Sequence, residues 1–289
     1  MLFLEPEQQL TEEEFRLIRD LIYAHCGLYF DSDSKYLLDK RLARRLALHG
    51  LSGFREYYQY LKYDRKKDEE LSDIMDILTT NETYFFREAF QLKAFTDEIL
   101  PELMRLKEKE KTLRIWSAGC STGEEPYTIA MLMLELGCFA GWRIEIVGSD
   151  ISQRVVQHAR KGIYGKSSFR ATEERYRLRY FTETPEGYRI CDEVRELVSI
   201  SHLNLFDANR LALLGKMDLI FCRNVIIYFD LDAKKRVIDS FYNTLRGGGY
   251  LLLGHSESLM NISTAFALKH LKNDMVYQKS APGNCGAPK

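Results

Sequence analysis

The hydrophobic positions of this chain recur with two different periods, and the period changes once. From about Thr11 to Leu78 the spacing is helical throughout. Thr11 followed by Glu12, Glu13 and Glu14 reads as a capped helix start, after which Phe15, Ile18, Leu21 and Ile22 share a face until Gly27 ends the run. After D-S-D-S, Leu38, Leu42 and Leu46 line one face of a second helix, Lys35 to His49, closed by Gly50. An aromatic helix from Gly53 to Tyr63 follows, and the charge run D-R-K-K-D-E-E leads into a last helix through Met75 and Leu78. The stretch Thr79 to Glu88, T-T-N-E-T-Y-F-F-R-E, has the cap- and turn-forming composition of a joint.

Beyond the joint, an amphipathic helix from Gln91 to Lys111 precedes apolar runs that alternate with helices. Strands are expected at Leu113 to Ser117, Ile144 to Gly148, Val198 to Leu205, Met217 to Asn224 and Tyr250 to Gly254. Helices are expected at Tyr127 to Leu136, Gln153 to Lys161 and Leu231 to Leu245, the last stopped by Gly247, Gly248 and Gly249. The segment F-A-L-K-H-L-K-N-D-M-V-Y-Q-K reads as a hairpin turning at Lys272 to Asp274, and T-P-E-G marks a small antiparallel insertion between Tyr176 and Val198. The expected organisation is an all-α domain over residues 1–80, a joint over 81–95 and a doubly wound α/β domain over 96–279. The insertion falls at about 176–198, and a disordered tail is expected over 280–289.

The α/β part is built around Leu113 to Asp150. A buried strand runs into the small-residue turn Ala118 to Gly123, a helix opens with Glu124, Glu125 and Pro126, and a second strand delivers Asp150 at its carboxyl end. That order grips a nucleoside, the acid accepting hydrogen bonds from ribose hydroxyls. Gly119 and Gly123 stand four apart, which is not G-x-G-x-x-G, and no G-K-[ST] follows. Dinucleotides and ATP therefore recede. Two carboxylates at the turn would repel a pyrophosphate but suit a cation, and S-adenosylmethionine is a nucleoside that carries an amino group and a sulfonium.

Composition narrows the partners. The 289 residues are 45% hydrophobic and 29% charged, with a net charge of -1, so nothing draws the chain generally to nucleic acid or anionic membrane. The one local basic surface is the helix face bearing Lys40, Arg41, Arg44 and Arg45, with few acids after Asp39. Cys26, Cys120, Cys138, Cys191, Cys222 and Cys285 form no C-x-x-C pair, which speaks against zinc and for reduced thiols. The opening M-L-F-L-E-P-E offers neither a basic region nor an apolar stretch of signal-peptide length, so a cytoplasmic protein is expected.

The segments N-E-T-Y-F-F-R, S-T-G-E-E-P-Y, S-D-I, C-R-N-V-I-I-Y-F and G-H-S-E together resemble the chemotaxis-receptor glutamate O-methyltransferase (CheR) family. The resemblance implies a class I methyltransferase domain after a small helical domain. It also implies methyl transfer from S-adenosylmethionine to glutamate side chains on the cytoplasmic helical bundle of chemoreceptors, leaving S-adenosylhomocysteine. By the same resemblance Asn81, Thr83 and Arg87 would meet the cofactor from the joint, with Arg87 on its carboxylate. Gly119 would belong to its turn. Glu125 would hold its amino acid part, a role Glu124 could share, and Asp150 its ribose. Asn204 and Leu205 would border the adenine, and Arg223 and Asn224 would line the strand end. Arg223 and Tyr228, flanking V-I-I, are expected to orient the acceptor carboxylate. Lys40, Arg41, Arg44 and Arg45 are expected to dock the acidic methylation helices. His255 reads as structural rather than catalytic.

Some members of that family carry a longer glycine-containing loop in the small insertion, which binds a pentapeptide at receptor C-termini. Here the turn at Thr184 to Gly187 is short, so independence of that tether is expected, as is a monomer. A base methyltransferase would show a broad basic surface and a [DNS]-P-P-[FY] strand end, where this chain reads R-N-V-I-I-Y. A cofactor-binding sensor or adaptor without activity, or transfer to another acceptor, stands as the alternative reading.

Overall fold

The computed structural model describes residues 9–281. The four expected helices of the first domain are α1 (Glu12–Cys26), α2 (Lys35–His49), α3 (Phe54–Tyr63) and α4 (Lys67–Leu78). Thr11 and Glu14 form a reciprocal capping box on α1, and Gly27 ends that helix in a left-handed conformation. Phe15, Ile18 and Ile22 from α1, Leu38, Leu42 and Leu46 from α2, Phe54 and Tyr57 from α3, and Ile74 and Met75 from α4 are all buried.

The joint leads into α5 (Ala89–Ala94), a wide π turn at Phe95–Ile99 and α6 (Leu100–Leu106), then β1 (Thr112–Ala118). The helix after the joint is thus shorter at its end than the expected Lys111, and it is interrupted. The alternation continues with α7 (Glu124–Leu136), β2 (Arg143–Asp150), α8 (Gln153–Lys161), β3 (Ile163–Tyr164), α9 (Glu174–Tyr180), β4 (Phe181–Thr184) and β5 (Gly187–Ile190). It closes with α10 (Asp192–Arg195), β6 (Val198–His202), α11 (Ala208–Leu213), β7 (Met217–Cys222), α12 (Leu231–Thr244), β8 (Leu245–Leu253), β9 (Phe266–His270) and β10 (Met275–Lys279).

The large sheet runs β6-β2-β1-β7-β8-β10-β9, parallel except for the terminal hairpin. Its central strands are buried on both faces, and alternation sends side chains to two cores. Trp116 and Ile220 join the core shared with α12 and the helical domain, whereas Ile115 and Leu219 join the one under the joint, α7 and the small sheet. The chain leaves β1 toward β2 and returns past it to β7, so the crevice beyond β1 and β7 is the switch point where such folds bind ligands.

Two expectations are corrected. Gly247, Gly248 and Gly249 do not stop α12, which ends at Thr244. They lie inside β8, where the pairing with β7 slips between Met217 and Leu219. Gly249 is needed there, since a Cβ would meet the Asp218 carbonyl oxygen at 2.9 Å. The insertion is also larger than expected, because the two residues of β3 pair with β5 to make a three-stranded sheet ordered β3-β5-β4. The tail expected to be disordered lies, from residue 282 onward, outside the described residues.

Candidate functional site

The carboxyl ends of β1, β2, β6 and β7 open onto a cavity of about 290 Å³, walled on the other side by the joint and by the end of α1. Its floor is the turn after β1. Gly119 (φ 76) donates its N–H to the Ser149 carbonyl at 2.8 Å, and a Cβ there would fall 2.4 Å from Val225 Cγ2. Only glycine lets the two loops touch.

Asp150 is buried at the end of β2. Its carboxylate accepts from the Ser121 N–H at 2.8 Å and the Ser152 N–H at 2.9 Å. Burial pushes its acidity toward the neutral form, and the two backbone donors pull it back only in part. Glu125 accepts from Ser117 Oγ at 2.7 Å and pairs with Arg223 Nη1 at 3.0 Å. Glu124 does not share its position, for its carboxylate is buried away from the cavity on Thr122 and Ser168.

Arg223 is a hub. It is buried, its Nη2 reaches the Arg87 carbonyl oxygen at 2.6 Å and Glu88 Oε2 at 3.0 Å, and Nη1 holds Glu125. Arg223 is expected to orient an acceptor carboxylate, and here it is bonded within the chain. Its donors are already engaged on three sides, and what they hold is the joint against the cofactor turn. Two carboxylates facing one guanidinium leave a net charge of -1 beside the cavity.

The joint itself is bent around Arg87. Phe86 (φ 60) and Glu88 (φ 58), on either side, are both left-handed, a conformation that costs a side-chain-bearing residue about 1–2 kcal/mol. Phe86 is held by Thr128 Oγ1 at 3.2 Å and by the Tyr176 ring at 4.2 Å, and Glu88 by Arg223. Arg87 then faces the cavity, with Nη1 on the Glu82 carbonyl oxygen at 3.0 Å. Asn81 and Thr83 line the same wall, the Asn81 carbonyl accepting from Ser121 Oγ at 3.3 Å.

On the far side Asn204 and Leu205 both line the cavity, and the Asn204 side chain donates to the His25 carbonyl at 2.7 Å. That bond fastens the end of α1, whose Cys26 and the following Leu28 become part of the wall. Leu28 bridges to Phe229, and the Tyr29 N–H donates to the Tyr228 carbonyl at 3.0 Å. Cys26 and Cys120 line the cavity too, but burial pushes both thiols up, Cys26 to about 12, so neither is a nucleophile at neutral pH. Tyr228 stands at the mouth, 37% exposed, and so is not simply packed with its apolar neighbours.

The basic face of α2 divides into two. Lys40 and Arg44 are exposed. Arg41 donates to the Leu78 carbonyl at 2.8 Å, and Arg45 binds the buried Glu70 and Asp73 of α4. Burial raises Glu70, and hydrogen bonds from Arg45, Tyr57 and His49 more than offset it, holding the carboxyl below its usual value. Of the four expected docking cations, Arg45 is thus balanced by acids of α4 and Arg41 is tied to a backbone carbonyl, which leaves Lys40 and Arg44 exposed.

The residues fit an S-adenosylmethionine. Glu125 and Asp150 supply anionic acceptors, Gly119 supplies room, Leu78 and Leu205 supply apolar wall, and the buried Asn224 Oδ1 has no hydrogen-bond partner among the described residues. The order of strand, turn and helix pointed to Gly119, Glu125 and Asp150, and the resemblance to Leu205 and Asn224. Leu78, Glu88 and the α1 end were missed, and the last carries no local signal.

The chain is similar to known proteins along both of its parts. Residues 13–79 match the CheR methyltransferase all-alpha domain and residues 81–275 the CheR methyltransferase SAM binding domain. The chain is 38% identical over 281 residues to chemotaxis protein methyltransferase 2 of Vibrio cholerae, covering 95% of each. It is 33% identical to chemotaxis protein methyltransferase 1 of Pseudomonas aeruginosa, covering 92% of this chain and 97% of that one. It is also 33% identical to the chemotaxis protein methyltransferase of Borreliella burgdorferi, covering 86% and 89%.

Proposed function

Because this chain belongs to the CheR methyltransferase family, and so is an S-adenosylmethionine-dependent methyltransferase, we propose that it esterifies glutamate side chains on the cytoplasmic helices of chemoreceptors. The observation that carries the reading is the agreement of both family domains, over 13–79 and 81–275, with a cavity enclosed by both parts of the chain.

When bound, S-adenosylmethionine supplies an electrophilic methyl group on a sulfonium. An ionised glutamate is already a nucleophile at neutral pH, so the task left to the protein is alignment in a suitable field. Glu125 and Asp150 would hold the amino acid and ribose parts, Arg87 the carboxylate, and Asn81 and Thr83 the edge at the joint. Leu205 would border the adenine, with Asn204 holding the loop that carries it. Arg223 keeps the two anionic groups in register. Tyr228, which lines the cavity at its mouth, would donate a hydrogen bond to an acceptor carboxylate. Lys40 and Arg44 would meet the acidic flank of the target helix.

The same reading extends to how the receptor is reached. The β4–β5 turn is tight, with Thr184 paired to Gly187 and Thr184 Oγ1 donating to the Gly187 carbonyl at 2.8 Å. That shortness supports action without a receptor pentapeptide tether, and a cytoplasmic monomer is the form in which we propose it acts.

Radiolabelled methyl transfer from S-adenosylmethionine to purified receptor cytoplasmic fragments tests the function. Label that leaves as methanol in mild alkali is expected. Tight cofactor binding without label on any receptor would overturn it in favour of a sensor.

A further inference from the structure

Four backbone N–H groups converge on one side chain beside the cavity. Glu257, in the turn after β8, accepts from Gly254 N at 2.7 Å and Asn224 N at 2.8 Å on Oε2, and from Val225 N at 2.9 Å and Ile227 N at 3.3 Å on Oε1. Three of these donors belong to the loop after β7, which carries Val225 onto Gly119 and Tyr228 to the mouth.

We infer that Glu257 is a positioning residue for methyl transfer, its carboxylate setting the loop from Asn224 to Tyr228 against the cofactor turn. The assignment rests on the methyltransferase reading. A carboxylate can accept all four bonds because both of its oxygens are acceptors with lone pairs to spare. A carboxamide of the same shape cannot, since whichever way it is turned its NH₂ faces two backbone donors. The loop is also held by the buried Ile226 and by the Tyr29 N–H on the Tyr228 carbonyl, but its first residue lies outside those two holds. Asn224 is left-handed (φ 59), and Ile227 is exposed.

The anchor is itself fixed. The Tyr277 hydroxyl of β10 accepts from the Leu259 N–H at 3.0 Å, and Glu257 N donates to the Gly254 carbonyl at 2.9 Å. A Cβ at Gly254 would fall 2.9 Å from both Asn224 Nδ2 and Glu257 Oε2, so the two loops are in closest approach where the carboxylate sits. Asp150 and Glu125, by contrast, take none of their hydrogen bonds from this loop's backbone. The loop's own share of the cavity wall is Asn224, Val225, Ile227 and Tyr228, so misplacing it should harm transfer more than a cofactor binding held chiefly by Asp150 and Glu125.

The test is Glu257→Gln, assayed on receptor fragments at saturating S-adenosylmethionine, with calorimetry of S-adenosylhomocysteine binding alongside. A fall in kcat of about tenfold or more, with Kd changed by less than about threefold, is expected. Turnover within about twofold of the parent, or parallel collapse of Kd, kcat and Tm, would overturn the inference. Turnover of the parent enzyme tests the methyltransferase reading separately. Should the variant not fold, hydrogen exchange on the unaltered protein decides. The amides of Asn224, Val225 and Ile227 are expected to exchange about a hundredfold slower than free peptide, and exchange near the free rate would overturn the assignment.

Discussion

Arg223 Nη1 and Glu125 Oε2 stand 3.0 Å apart, joining the end of β7 to the first turn of α7. Arg223 is buried and Glu125 half-buried, and Glu88 completes the group from the joint. Three segments far apart in sequence thus share one guanidinium.

Arg223→Met should leave Glu88 and Glu125 facing each other without a cation. Stability is expected to drop by about 3–5 kcal/mol, the usual result of breaking a buried pair from one side. Arg223→Lys keeps the charge but cannot reach three acceptors with planar geometry, so kcat/KM should fall by about tenfold or more. Thermal unfolding and steady-state kinetics on the two variants separate these effects.

Tyr228→Phe removes one hydroxyl at a half-open mouth. Little change in Tm or cofactor Kd is expected, with kcat lowered by about tenfold if the phenol orients the acceptor. Wild-type turnover in this variant would sink that role.

Docking should depend on the exposed half of the α2 basic face. Charge reversal by Lys40→Glu with Arg44→Glu is expected to raise KM for receptor fragments several-fold at low salt, with the difference shrinking as ionic strength rises. Arg45→Ala should behave differently, destabilising the helical domain by about 3 kcal/mol because Glu70 is left buried without its cation. If Arg45→Ala instead weakened receptor binding with Tm intact, the division of that face would be wrong.

Asp150 gives a pH dependence of known sign. Its folded-state pKa lies above the ordinary 3.8, raised by burial. Its contribution to folding is accordingly fully present below the unfolded value and is lost as pH rises through the folded one. Cofactor binding runs the other way, since ribose hydroxyls need the ionised acceptor. Calorimetric Kd should weaken on acidification at a higher pH than an exposed aspartate would give, and Asp150→Asn should bind more weakly and lose that limb.

What could be read from the sequence was what local chemistry decides. The Thr11–Glu14 cap, the Gly27 stop, the alternation that buries β1 and the Lys272–Asp274 turn each depend on neighbours a few residues away. Asp150 and Gly119 were legible because strand, turn and helix fix them in order. The partners of Arg45 were not, since Glu70 lies twenty-five residues further on, across a helix packing that no periodicity reveals. The partners of Arg223 were hidden for the same reason. A cation at a strand end looks free until Glu88 and Glu125 are brought to it. The glycines of β8 misled because three in a row resemble a terminator, and only the pairing with β7 shows that they sit in a ladder.

The end of α1 makes the cofactor cavity common property of both parts of the chain. A Cβ at Gly27 would fall 2.1 Å from Phe206 Cζ, Tyr23 donates to Asp230 at 3.0 Å, and Leu28 is in the wall. Ligand occupancy and docking of the helical domain are consequently linked equilibria. Any strain that pries α1 from Phe206 must weaken the nucleoside's grip, and the bound nucleoside must resist the prying by the same free energy. A receptor helix docked on α2, as proposed, would be coupled to the cofactor through that seam, and acceptor and donor would then report on each other without touching.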